Sequence, residues 1–213
     1  MIGPSSSHTA GAARLGRIAR EIIAKPFNYV SFGLHGSFAK TFKGHGTDKA
    51  LLAGTLGLKE DDERLSDAFS IAKEQGVGFN FYETELHNVH ENSVKMIFAV
   101  TDGGDYEVIG SSIGGSKIVI RKIDEFDIVF YAMMPTLFIW QEDKKGIVTE
   151  VARILADENL NIGTMKLSRS AKGGNAFCII ETDDQINAEI IDNIQALPNV
   201  QHVSAINTEP KEV

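Results

Sequence analysis

From residue 136 onward, apolar positions follow two rhythms that alternate along the chain. Thr136 to Trp140 is an apolar run that reads as a buried strand, and Ile147, Val148, Val151, Ile154 and Leu155 then recur at helical spacing. Asn161 to Ser170 alternates Ile162, Thr164 and Lys166 against Gly163, Met165 and Leu167, and Lys172-Gly173-Gly174 turns the chain into a strand over Asn175 to Thr182. Ile186, Ile190, Ile191, Ile194 and Leu197 mark a second amphipathic helix, and Pro198 leads into a strand over Val200 to Ile206. The order βαββαβ predicts a ferredoxin-like sandwich.

The first half is more mixed. A helical stripe (Ala12, Leu15, Ala19, Ile22, Ile23) precedes a β-like run, Tyr29 to Leu34. A short helix is predicted over Asp48 to Leu56 with Thr47 as its cap, and another carries Leu65, Ala68, Phe69 and Ala72. Strands are predicted at Gly78–Tyr82, Val94–Thr101, Tyr106–Ser111, Ser116–Ile123 and Phe126–Ala132, with Asp102-Gly103-Gly104-Asp105 as a hairpin turn. Sixteen of the 20 glycines precede residue 136, and the join reads Ala132-Met133-Met134-Pro135. That shift predicts two domains, 1–132 and 136–213, in an α+β chain whose N-terminal domain holds an antiparallel sheet.

Composition narrows the function. With 43% hydrophobic and 23% charged residues the chain is a folded, soluble one, and a net charge of −8 argues against nucleic acid as a partner. No apolar stretch reaches the roughly 18 residues of a membrane span, and the N-terminus lacks a signal-peptide pattern, so a cytoplasmic chain with no membrane partner is expected. The one cysteine, Cys178, sits in the apolar run Ala176 to Ile180 and reads as a buried strand residue. By itself it cannot hold zinc or an iron-sulfur cluster.

Two segments carry chemistry. In Gly3-Pro4-Ser5-Ser6-Ser7-His8-Thr9, three hydroxyls stand just before a helix, whose N-terminal amides favour an anion such as a carboxylate. Capping alone needs one Ser or Thr, so this run exceeds what the helix requires. In Lys43-Gly44-His45-Gly46-Thr47-Asp48, a histidine between two glycines reads as an accessible loop tip able to enter another molecule's cleft. Residue type leaves an inert surface histidine and a general base both open. His87 and His90, beside Glu85 and Glu91, lack a clear third ligand, so a solvated loop is expected and no metal site.

Asp143 to Gly146 before the first C-terminal helix, and Leu160-Asn161-Ile162 opening the second strand, resemble an ACT domain. That resemblance implies an amino-acid site between Asp143 to Gly146 and Asn161 to Gly163 across a domain pair, with Asp143, Gly146, Asn161 and Ile162 as regulatory residues, and self-association through this domain. Together with Gly3 to Gly11, Lys43 to Asp48 and Ser112-Ile113-Gly114-Gly115, the whole chain resembles the beta chains of iron-sulfur-dependent L-serine dehydratases.

The resemblance implies a subunit of a lyase converting L-serine to pyruvate and ammonia, inactive alone. A partner alpha chain would carry the four-iron, four-sulfur cluster that acts on the β-hydroxyl as a Lewis acid. His45 would remove the α-proton, and Ser5, Ser6, Ser7, His8, Thr9, Thr47 and Asp48 would bind substrate. A competing expectation is a non-catalytic serine sensor that only regulates a partner. Members usually carry a strand-forming segment before the serine motif, so an edge strand is expected to be missing. His90-Glu91-Asn92 and Ser116 also depart from the family pattern, His-Pro-Asn and a third glycine.

Overall fold

The computed structural model describes residues 7–208, and the chain divides into two compact units, Met1–Tyr131 and Ala132–Val213. Among the described residues no helix is long and apolar enough to cross a membrane.

In the first unit, helix α1 (Ala10–Ile23) buries the predicted stripe together with Gly16 and Ile18. Strand β1 (Phe27–His35) follows, then helices α2 (Gly36–His45) and α3 (Thr47–Thr55), a 3₁₀ turn (Glu63–Asp67) and α4 (Ala68–Glu74). Strands β2 (Gly78–Glu83), β3 (Asn92–Val100), β4 (Asp105–Gly114), β5 (Lys117–Ile123) and β6 (Phe126–Phe130) complete a six-stranded sheet of order β2-β1-β3-β4-β5-β6. Neighbours pair antiparallel except β1 with β2, which run parallel. The exception has a topological cause: α2, α3 and α4 lie between them, and a helical crossover returns the chain in the same direction. Val30, Phe32 and Leu34 pair with Phe98, Met96 and Val94, and all six are fully buried. Each contributes about 1.5–3 kcal/mol to folding.

Helices α1 and α3 touch backbone to backbone. A Cβ on Gly54 would lie 2.0 Å from the Ala13 carbonyl oxygen, and one on Gly16 would lie 2.3 Å from that of Leu51. Near their C-terminal ends, Arg20 Nη1 donates to the Thr55 carbonyl at 2.9 Å. The two glycine contacts mark where the helices cross, and their N-termini lie together because Thr9, just before α1, and Gly46, just before α3, line one cleft.

The second unit has the predicted order: β7 (Thr136–Glu142), α5 (Ile147–Asp157), β8 (Ile162–Arg169), β9 (Asn175–Thr182), α6 (Ala188–Gln195) and β10 (Val200–Ile206). Its sheet runs β10-β7-β9-β8, with every neighbouring pair antiparallel. The helices pack Val151, Leu155, Ile190 and Ile194 against Leu137, Ile139, Cys178 and Ile180. Asn187 caps α6 by accepting the Ile190 N–H at 2.9 Å, which satisfies one of the orphan donors of the first turn.

Candidate functional site

The segment Lys43 to Asp48 is not the loop its glycines predict. Gly36 to His45 is helical, with Phe38 buried and Phe42 half-buried on one side. Gly46 then ends the helix at φ 69°, a left-handed conformation that glycine adopts without a Cβ penalty. Thr47 is not a cap either. It is the first residue of α3, fully buried, and its hydroxyl has no hydrogen-bond partner. The turn therefore comes from one glycine rather than two, and it leaves His45 exposed at a helix end.

His8 lies directly against it. The two rings meet edge to face with centroids 5.0 Å apart, and Phe38 packs on His8 at 5.3 Å. His8 Nε2 and the Ser37 hydroxyl are hydrogen-bonded at 3.2 Å, while Nδ1 is buried without a partner. Burial, and then the neighbouring His45, hold the His8 pKa below its ordinary value, so this ring is uncharged at neutral pH. Neither α1 nor α3 carries a side-chain cap, and the Thr9 hydroxyl is likewise buried without a partner. Thr9, His45, Gly46, Lys49, Ala50 and Glu63 are among the residues lining a cleft of about 310 Å³. Chemically this is a proton-accepting group beside two helix N-termini with unused hydrogen-bonding capacity.

The expected substrate residues divide accordingly. Ser5 and Ser6 lie outside the described residues, and Ser7 is half-buried just ahead of His8. His8 and Thr9 come together with His45, whereas Asp48 is buried and accepts the Lys49 backbone N–H at 2.8 Å. The sequence reading missed Ser37, whose only signal is its place one residue before the buried Phe38, and Lys49, which directly follows the motif. His90 Nδ1 accepts the Asn92 N–H at 3.1 Å, and no group of three or more metal-ligating side chains occurs among the described residues. Cys178 is buried, and its thiol pKa is pushed up to about 12 by desolvation. These residues do not fit an iron-sulfur cluster, which takes several thiolates.

In the second unit, Asp143 accepts from the Gly173 N–H at 3.0 Å and from Arg169 at 3.1 Å, which hold its carboxyl below the usual range. It thereby ties the loop after β7 to the β8–β9 turn. Gly146 precedes α5 at φ 95°. Asn161 donates to Asp183 at 2.6 Å, at the opposite end of the sheet, and the neighbouring Ile162 is half-buried against the core. One unit therefore does not bring Asp143 and Gly146 together with Asn161 and Ile162.

The family model for the serine dehydratase beta chain matches residues 1–122, and that for the ACT domain matches residues 135–199. The probable L-serine dehydratase beta chain of Bacillus subtilis (strain 168) is 39% identical over 97% of this chain and 93% of its own. The L-serine dehydratase beta chain of Peptoniphilus asaccharolyticus is 38% identical over 89% of this chain and 86% of its own. A D-3-phosphoglycerate dehydrogenase of Bacillus subtilis (strain 168) is 28% identical over 92% of this chain but only 37% of its own. With one model covering more than half of the residues and two relatives matching nearly end to end, this chain belongs to the serine dehydratase beta chain family and carries a C-terminal ACT domain.

Proposed function

We propose that this chain is the beta subunit of an L-serine dehydratase and supplies the base of its active site, in complex with an alpha chain that carries a four-iron, four-sulfur cluster. The observation that carries this reading is the pair formed by the exposed His45 and the buried, uncharged His8. A base must accept a proton beside the substrate, and a second charge on its neighbour would oppose that. His8 is held neutral, so it leaves His45 free to take the α-proton of serine. The electron pair left on Cα then forms the Cα–Cβ double bond as the β-hydroxyl departs. The helix N-termini at Thr9 and Gly46, with the unpartnered hydroxyls of Thr9 and Thr47, favour the substrate carboxylate. Ser5, Ser6, Ser7 and Asp48 are assigned to the same site through the resemblance of their motifs. The cluster's thiolates are assigned to the alpha chain because this chain has a single buried cysteine.

Self-association through the ACT domain belongs to the same proposal. Asp143 and Asn161 stand at opposite ends of the sheet, so a site using both takes two copies of the domain. Co-expression with a cysteine-containing alpha chain, anaerobic reconstitution with iron and sulfide, and an assay of serine consumption test the function. Turnover to pyruvate and ammonia is expected. Serine binding with no turnover would favour the sensor instead.

A further inference from the structure

Lys49 occupies the first turn of α3, two residues after Thr47. A helix N-terminus disfavours a cation, because its unsatisfied N–H groups carry positive partial charge. The offsets are partial: among the described residues Lys49 forms no ion pair, its ammonium lies 5.9 Å over the ring centroid of Phe69, and Asp48 is the one acidic residue in the first turn of α3. The adjacent Asp48 carboxylate accepts the backbone N–H of Lys49. Glu63 lines the same cleft as Lys49 without pairing with it. A half-buried lysine at the wrong end of a helix, lacking a counter-ion and lining a cleft with His45 and Thr9, is an electrostatic cost that a bound anion would remove. The cleft, about 310 Å³, is at the small end of small-molecule sites and suits a small amino acid.

We propose that Lys49 receives the α-carboxylate of the substrate, which rests on the reading that His45 serves a serine dehydratase. The cation and the two helix N-termini then act on the same group, and the Cα–H bond is presented to His45 from a fixed carboxylate. Lys49 is thus a binding residue whose loss affects ground-state capture more than the proton transfer itself.

The test uses the complex with its alpha chain. Lys49→Gln is expected to raise KM for L-serine by about 10-fold or more, with a smaller fall in kcat, and Lys49→Arg to recover most of the loss. Inhibition by 3-hydroxypropionate, which keeps the carboxylate and lacks the ammonium, should weaken by the same factor. The melting temperature should stay level or rise, since a cation leaves a helix N-terminus; a purely structural lysine would lower it and leave KM alone. Lys49→Met, similar in length and uncharged, carries the same expectation should the glutamine variant not assemble. Unchanged KM and inhibition in a complex that turns over serine overturns the role of Lys49 alone. A wild-type complex with no serine turnover overturns the reading beneath it as well.

Discussion

His8 and His45 meet edge to face, with ring centroids 5.0 Å apart and planes at 83°. One ring is buried and braced by Ser37 and Phe38, while the other ends a helix in the open. The asymmetry gives the two histidines different electrical lives. The inner one resists a proton, held back by burial and by its neighbour.

That asymmetry is measurable as stability. Below the ordinary histidine value of 6.5 the unfolded chain takes up a proton at His8 that the folded chain refuses, because burial and His45 lower the folded pKa. Stability tied to His8 is therefore fully present above pH 6.5 and lost as pH falls through that value towards the folded one. Thermal melts between pH 7.5 and 5 should show the wild type losing stability more steeply than His8→Asn. Parallel curves would mean that His8 titrates normally.

The close approach of α1 and α3 makes a second prediction. Gly54→Ala sets a methyl 2.0 Å from the Ala13 carbonyl oxygen, so the helices must separate. A cost of about 1–3 kcal/mol in denaturant unfolding is expected, typical of overpacking. Gly44→Ala is the contrast: it lies within α2 with nothing inside 4 Å, and should stabilise by roughly 0.5–1 kcal/mol.

Much of this architecture is legible in the sequence because the core demands it. Ile190, Ile194, Val151 and Leu155 must face one sheet, so their spacing states the second unit's order directly. Helix α2 escaped because Gly44 and Gly46 look like loop residues, while Phe38, Phe42 and His45 at helical spacing were the signal against it. The parallel β1–β2 pair depends on where three helices cross, which no local pattern records. The contact of His8 with Ser37 joins the turn before α1 to α2, 29 residues on, so only the fold reveals it.

Cys178 should behave as a core residue. Its thiol, buried in the core that α5 and α6 form on the sheet and pushed up to about 12, is expected to resist alkylation at pH 8 in the folded chain and to react fully once denatured. The isolated chain should correspondingly take up no cluster on anaerobic reconstitution. Iron-sulfur absorbance in stoichiometric amount on this chain alone would contradict the assignment of the cluster to the partner.

The most direct measurement is the turnover of L-serine by the reconstituted complex carrying His45→Gln. His45 is exposed, and the glycines beside it have nothing within 4 Å, so the substitution should change stability by no more than about 0.5 kcal/mol. Loss of a general base should lower turnover by about 10²- to 10⁴-fold, with cluster content and melting temperature unchanged. Near-normal turnover in that variant would contradict His45 as the base.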